Sequence, residues 1–284
     1  MVLKVLEGMR WAEAILVDKG IENARFDADI LLAEVLGLPR RDRLYLETDR
    51  NLSEQEEAAY RGNVIRRAEH EPLQYILKRV EFMGLTFCID ERVLIPRADS
   101  EILVEKWLDL VRLEEGQEPD RLIKVADLCT GSGALAISMA YYYPKAKVVG
   151  TDISADALDV ARQNAMHLGV SVQWRQGDFV TPIQDELWDF IVTNPPYVSS
   201  EDYALCAPEI FHEPPMAFLG GEDGLEFYRR LADELRSILN PQGKLLMEIG
   251  WNQAEAVCGI FEMKGFDTQV FPDLAGRDRV ILVR

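Results

Sequence analysis

The chain has 284 residues, with 49 Asp and Glu against 31 Lys and Arg, a formal net charge of −18 and a pI near 4.6. A hydrophobic fraction of 48% supplies a full core, which excludes disorder and low complexity, and the length allows one large domain or a large one with a small one. No apolar run approaches the roughly 18 residues of a membrane span, and the N-terminus, with Glu7, Arg10 and Glu13 among its apolar residues, reads as an amphipathic helix rather than a signal peptide; the expectation is a soluble cytoplasmic protein.

Residues 1–79 read as helices throughout. Ile30, Leu31, Leu32, Val35 and Leu36 return at helical spacing before Gly37 and Pro39, and Ser53-Glu54-Gln55-Glu56 fits a capping box that opens a helix running towards His70, with Pro72 as its stop. Over 80–95 the pattern changes to β-like runs, Val80–Phe82 and Leu85–Ile89, with Met83-Gly84 as a tight turn, and predicts a hairpin between two domains. Residues 96–284 start with a helix through Ile102, Leu103, Trp107 and Leu110 and a charged linker at Glu114–Asp120. Strands are then expected at Ile123–Leu128, Lys147–Asp152, Val172–Gln176, Phe190–Thr193, Lys244–Ile249, Thr268–Phe271 and Arg279–Val283, with helices after Gly133, Ala155, Gly224 and Gln253. Such alternation predicts an α/β fold: a mostly parallel sheet covered on both faces.

Cys88, Cys129, Cys206 and Cys258 are far apart, and His70, His167 and His212 are equally scattered. They read as reduced thiols and isolated imidazoles, with no material for a disulfide framework, a zinc site or a Ser-His-Asp triad. Residues 1–84 carry 13 basic and 16 acidic side chains, so the remainder carries 18 and 33 and is net −15. A catalytic region that gripped DNA would show the opposite sign.

Three turns at expected strand ends hold the candidate chemistry. Cys129-Thr130-Gly131-Ser132-Gly133 is glycine-rich and opens a helix, which suits close approach of a ligand to backbone N–H groups; it is neither a P-loop nor a full dinucleotide fingerprint, and a plain tight turn fits it equally well. Asp152 ends the second strand 19 residues after Gly133, where nucleotide-binding folds hold ribose hydroxyls, although a helix cap is the other use, for which Ser154 is better placed. Asp178 and Phe179 close the third strand and suit the edge and face of an adenine, or an ordinary Gly-Asp turn. The fourth strand runs into Asn194-Pro195-Pro196-Tyr197. Pro195 holds Asn194 extended, and neither proline has an N–H, so the loop is stiff and rich in acceptors. A planar –NH2 group fits between the Asn194 side-chain oxygen and the Pro195 carbonyl, with the Tyr197 ring over the reacting group.

At these residues the sequence resembles the class I S-adenosylmethionine-dependent methyltransferases, and within them the glutamine N5-methyltransferases of peptide chain release factors. The match covers nearly the whole chain and includes Glu71–Tyr75, Glu81-Phe82 with Gly84, Val93–Arg97, Glu213-Pro214, Gly220–Leu225 and Asp273–Arg279. The chain departs from the family at Cys129, where Gly is frequent, and at Ala98-Asp99-Ser100, where Pro-Glu-Thr is usual. The resemblance implies a Rossmann-like domain with a seven-stranded sheet at 96–284, a hairpin linker at 80–95, and a helical bundle at 1–79 that recognises the substrate protein. Arg40, Arg41, Arg43, Arg61, Arg66 and Arg67 are candidates for that surface, though solvated helix faces explain each of them singly. Pro208–Gly221 has the composition of a loop that shapes the pocket mouth.

By the same resemblance Cys129–Gly133 wraps the methionine end of S-adenosylmethionine, Asp152 its ribose and Asp178 and Phe179 its adenine region. Arg97 and Asn194–Tyr197 take the substrate glutamine, and S-adenosylhomocysteine is the second product. Orientation of the amide nitrogen against the sulfonium draws on the roughly 7–11 kcal/mol available from proximity, so no metal, general base or covalent nucleophile is expected, and the protein is expected to be a monomer without membrane or nucleic-acid contacts. The rivals are a glutamine methyltransferase of a large-subunit ribosomal protein, an adenine-N6 methyltransferase using the same loop on a flipped base, a non-catalytic adaptor, and a haem-pathway oxidoreductase, for which no flavin or nicotinamide fingerprint is present.

Overall fold

The computed structural model describes residues 3–117 and 121–284. The chain divides into two compact units, Met1–Arg79 with Pro208–His212, and Val80–Ala207 with Glu213–Arg284.

The smaller unit is helical: α1 (Val5–Asp18), α2 (Ala24–Val35), a 3-10 turn at Arg41–Leu46, α3 (Glu54–Ala68) and α4 (Leu73–Leu77). α3 starts where it does because Ser53 and Glu56 satisfy each other's N–H groups, Glu56 N donating to Ser53 Oγ (3.2 Å) and Ser53 N to Glu56 Oε2 (2.8 Å). Met9, Leu16, Leu31, Leu32, Tyr60 and Val64 fill its core, and the Tyr60 hydroxyl donates to Ala28 O at 3.0 Å. Arg67, a surface candidate from the sequence, is instead buried: it donates to Asp27 Oδ2 at 2.7 Å and to Glu209 Oε1 at 3.0 Å. Arg66 pairs with Glu71, Arg61 lies over the Trp11 ring at 4.4 Å and Arg41 over Phe26 at 4.6 Å.

The larger unit begins with a two-stranded hairpin, β1 (Arg79–Phe82) and β2 (Leu85–Cys88). Its two-residue turn sits at positive φ in both Met83 and Gly84, the geometry that matches strand twist. Phe82 and Phe87 meet edge to face at 6.2 Å and enter the same core as Trp107, so the hairpin is part of this unit's interior. There follow α5 (Glu101–Gln117), β3 (Lys124–Leu128), α6 (Ala134–Tyr142), β4 (Lys147–Asp152), α7 (Ala155–Leu168), β5 (Gln173–Gln176) and β6 (Trp188–Thr193). Then come α8 (Ser200–Tyr203), α9 (Glu226–Ile238), β7 (Leu239–Glu248), α10 (Ala254–Glu262), β8 (Thr268–Pro272) and β9 (Asp278–Val283).

The seven strands lie in the order β5-β4-β3-β6-β7-β9-β8; β5 to β7 pair in parallel, and β9 is antiparallel to both neighbours. Every residue of β6 is buried, as expected for a central strand with both faces covered. Phe190 and Val192 face the core containing Trp107 and Met139, while Ile191 faces the one containing Tyr228, Leu231, Leu235 and Phe261. Each such fully buried Leu contributes about 2 kcal/mol of burial free energy.

Two expectations change. The charged stretch read as a linker from Glu114 continues α5 as far as Gln117, and its last three positions lie outside the described residues. β7 starts at Leu239, five residues before the expected Lys244, through Pro241 and Gly243. β6 and β7 change register between Trp188 and Phe190, and an irregular pairing tolerates a proline.

The chain travels from β3 outward through β4 to β5 and then returns to β6 on the other side of β3. The carboxyl ends of β3 and β6 therefore flank the point where strand order reverses, the place where open α/β sheets bind ligands. Leu128 pairs with Thr193, so Cys129 and Asn194 leave the sheet side by side.

Candidate active site

Two adjoining hollows open at this point, and Leu94, Cys129, Gly131 and Asn194 line both. The larger also takes in Asp152, Asp178, Phe179 and Pro196; the smaller takes in Ser100, Thr130 and Ser132.

The turn after β3 is shaped by two carboxylates. Asp127 is wholly buried and accepts from Thr130 Oγ1 (2.6 Å) and Ala136 N (3.1 Å); its burial pushes its carboxyl up to about 7. Asp152 accepts from Gly131 N and from Ser154 N, both at 2.9 Å, and burial again raises its pKa against those donors. Ser154 caps α7 by accepting from Ala157 N at 3.1 Å, so Asp152 buttresses the glycine turn instead of capping, and it lines the larger hollow with acceptor capacity left on its two oxygens. Gly131, at φ +54, has open space where a Cβ would stand, whereas a Cβ on Gly133 (φ +81) would come within 2.9 Å of Ile137 and Trp174. One glycine exposes backbone to a ligand and the other permits packing. Cys129 adopts φ +57, a left-handed conformation that the sequence did not disclose for a non-glycine residue, and burial pushes its thiol up.

Phe179, at φ +56, is buried against Phe227 (4.7 Å, edge to face), with the Arg230 guanidinium 4.5 Å from its ring centre. Asp178 is exposed and accepts from Arg230 at 2.8 Å. This pair forms the far wall of the larger hollow.

After β6 the loop is held from several directions. Asn194 Nδ2 donates to Ser100 Oγ at 3.1 Å, and the residue lines both hollows. Pro195 is buried, and neither it nor Tyr197 lines a hollow. The Tyr197 hydroxyl instead donates to Glu248 Oε1 at 3.1 Å, and burial followed by the Glu248 charge holds its ionisation above the ordinary range. The ring packs, partly buried, against the core that holds Tyr228, Leu231 and Val257. Gln253 donates to Tyr197 O at 2.9 Å. The glycines of 220–224 let a second segment lie on this loop: a Cβ on Gly220 would stand 2.6 Å from Pro196 O, and one on Gly224 2.4 Å from Tyr197 O. Arg97 is not in either hollow; it pairs with buried Glu213, which also accepts from Ile95 N at 2.8 Å.

Glu248 and Asp127 are site residues that sequence reasoning passed over, while Ser100, Gly220 and Gly224 stood there only as motif positions without a role. Glu248 is 2% exposed; burial raises its pKa, opposed by the Ser100 and Tyr197 hydroxyls and by Arg279. Arg279 is fixed in turn by Asp273 (3.1 Å), whose other oxygen accepts from Ala275 N and Arg277 N at 2.9 Å each. The Asp273–Arg279 motif thus braces the floor beneath Tyr197. Among the described residues no group of three or more His, Cys, Asp or Glu side chains is placed to hold a metal, and no helix is long and apolar enough to cross a membrane.

Two family profiles match the chain, the PrmC N-terminal domain over residues 7–77 and the methyltransferase small domain over residues 113–222. The release factor glutamine methyltransferase of Geobacter sulfurreducens is 41% identical over 282 residues, 99% of this chain and 95% of that protein. The enzyme of the same name from Moorella thermoacetica is 39% identical over 267 residues, 93% of this chain and 92% of that one. Among solved structures, the hMettl16 catalytic domain in complex with MAT2A 3′UTR hairpin 6 superposes with a TM-score of 0.56 at 17% identity, covering 78% of this chain and 81% of that one, a likeness of fold. With two relatives matched above 35% identity over more than nine tenths of their length, the chain belongs to the release factor glutamine methyltransferase family.

Proposed function

We propose that this methyltransferase moves the methyl group of S-adenosylmethionine to the side-chain amide nitrogen of the glutamine in the Gly-Gly-Gln loop of peptide chain release factors. The observation that carries the reading is the Asn194 carboxamide, fixed through its nitrogen on Ser100 and lining both hollows at the sheet's switch point. The kinship to the two bacterial enzymes supplies the substrate class.

The residues of the larger hollow fit the cofactor. Gly131 offers bare backbone at a helix start, Asp152 has acceptor capacity left for hydroxyls, and Phe179 gives an apolar wall for a base. When bound, S-adenosylmethionine supplies a methyl carbon activated by its sulfonium. A carboxamide nitrogen is a weak nucleophile because its lone pair is shared with the carbonyl. The Asn194 oxygen and the Pro195 carbonyl accept its two N–H bonds, which holds the nitrogen in line and supports the positive charge that grows on it. So held, the nitrogen would be presented to the methyl group that bound S-adenosylmethionine would supply, and its surplus N–H proton would pass to solvent. Tyr197 and Pro196 keep the loop rigid, and the Arg97–Glu213 pair positions the chain before Ser100. The helical unit, with exposed Arg40, Arg41 and Arg43, is the proposed contact for the body of the release factor.

Incubating the protein with a release factor and methyl-labelled S-adenosylmethionine, followed by peptide mass spectrometry, tests the reading. One added methyl on the Gly-Gly-Gln glutamine is expected, with Asn194→Ala slower by about 100- to 1,000-fold while cofactor affinity is retained. No transfer despite cofactor binding overturns the substrate assignment and directs the search to ribosomal protein and then nucleic-acid substrates.

A further inference from the structure

We infer that Arg230 is a positioning residue for the cofactor's base, holding Asp178 and Phe179 together in the pose that recognises an exocyclic amine. The inference deepens the cofactor half of the proposed reaction and rests on it.

The turn after β5 is anchored by its backbone, where Gly177 N donates to Asp152 O at 3.0 Å and Thr181 N to Asp178 O at 3.1 Å. Its two wall residues need more support than that. Phe179 stands at φ +56, a left-handed conformation that is unfavourable for a bulky side chain and persists where the surroundings enforce it. The enforcement comes from α9, where Phe227 and Arg230 stand three residues apart on one face and both line the larger hollow. Phe227 meets the Phe179 ring edge to face at 4.7 Å. Arg230 lays its guanidinium 4.5 Å from the centre of the same ring and donates from Nη2 to Asp178 Oδ2 at 2.8 Å. A planar guanidinium can stack through its face while it donates through its edge, which an ammonium cannot. One side chain thereby joins, across 52 positions, the two residues that suit the edge and face of an adenine.

Arg230 takes Oδ2 of Asp178, and a carboxylate has lone pairs to spare on its other oxygen. A base that bears an exocyclic amine offers that oxygen a donor; a purine without the amine leaves it unmatched. The distinction is read only while Asp178 keeps one rotamer, because a carboxylate that swings into water is satisfied there whichever base is present. Holding that rotamer is the use left to the ion pair once folding is considered. The Arg230 and Asp178 side chains are 43% and 58% exposed, and pairs so open to water add little to stability. Their value lies in geometry at the wall of the hollow.

The experiment titrates the full chain calorimetrically with S-adenosylhomocysteine and with its deamino analogue, in which a hydrogen replaces the amine of the base. Both ligands carry one ammonium and one carboxylate and no net charge, so loss of a cation from the wall is not read as a long-range effect. The parent, Arg230→Ala, Asp178→Ala and the double variant are compared, with thermal midpoints beside them. Arg230→Ala is expected to bind S-adenosylhomocysteine about 3- to 10-fold more weakly and the deamino analogue within about twofold of the parent, so that the preference for the amine shrinks. Its thermal midpoint is expected within about 4 °C of the parent. In the Asp178→Ala background the further loss from Arg230→Ala is expected to fall by half or more. If Arg230→Ala lowers the midpoint beyond that range, Arg230→Met, which keeps an apolar stem along Phe179 without the guanidinium, carries the test. Parent-like affinity for S-adenosylhomocysteine, an equal loss for both ligands, or an undiminished loss in the Asp178→Ala background overturns the inference alone. A parent that binds neither ligand overturns the cofactor reading and the inference with it, whereas failure of methyl transfer to a release factor by a parent that binds them overturns the substrate assignment.

Discussion

Two turns leave the sheet side by side, after β3 and after β6, and they are made of opposite materials. The first is built from Gly131 and Gly133 with a left-handed Cys129 beside them, and it opens α6 with backbone N–H groups, of which that of Gly131 is held by Asp152 and that of Ala136 by Asp127. The second has Pro195 and Pro196, which have no N–H to offer, and its free groups are carbonyl and carboxamide oxygens. One end of one sheet thereby presents a donor-rich wall and an acceptor-rich wall across a narrow gap. The proposed reaction, which joins a carboxylate- and hydroxyl-bearing sulfonium cofactor to an –NH2 group, needs that pairing.

The contrast breaks most readily where a second segment braces the acceptor loop. Gly224→Ala forces a Cβ to within 2.4 Å of Tyr197 O at φ +74, and left-handed strain with overpacking amounts to about 3–5 kcal/mol of stability. The expected result is a large fall in the urea midpoint and in kcat, measured on one preparation.

Asp127 sharpens the donor side through pH. Its folded carboxyl titrates at about 7 against an ordinary 3.8, so the folded state keeps a proton that the unfolded chain has lost. Its contribution is best at pH 4 and below, falls as pH rises from about 4 to about 7, and is flat beyond. The drop is of the order of 2–4 kcal/mol. Urea unfolding at pH 5 and pH 8 should show the parent losing more stability across that window than Asp127→Asn.

Asp152→Ala removes the acceptor for Gly131 N and Ser154 N. It is expected to weaken cofactor binding by about 1.5–3 kcal/mol in calorimetric titration, with kcat at saturating cofactor nearly unchanged. Asn194→Ala has the converse signature, which makes the two walls separable by experiment.

The smallest effect lies at Cys129. Glycine accepts φ +57 without penalty, so Cys129→Gly should gain about 0.5–1 kcal/mol, read as a thermal midpoint raised by about 1–4 °C; a lower midpoint would show that the packing of the thiol outweighs the backbone strain.

The sequence disclosed the two walls because glycine and proline act locally: a turn at Gly131–Gly133 and an extended Asn194 before Pro195 need no knowledge of distant residues. The parallel strands were legible for a related reason, since continuous apolar runs such as Phe190–Val192 suit only a strand covered on both faces. The supports were hidden because they are remote in sequence. Ser100 reaches Asn194 across 94 positions, and the Glu248 carboxylate reaches Tyr197 across 51. Nothing in the run before Glu248 marks it apart from any strand end. The 220–224 glycines were visible as a motif, but their purpose appears only when the Cβ each lacks is placed against the Pro196 and Tyr197 carbonyls. Arg67 misled for the same reason: an arginine among the polar residues of α3 reads as solvated until Asp27 and Glu209 are found around it.

That last pairing has a consequence in time. Arg67 and Glu209 are 142 positions apart, and at about 5–20 residues per second of synthesis a nascent chain exposes the arginine roughly 7–30 seconds before the glutamate is made. During that interval Asp27, already translated, is Arg67's only carboxylate partner from this buried group. The helical unit is thus completed only when its final five residues arrive with the loop that follows the Asn-Pro-Pro-Tyr turn, well after its helices have been made.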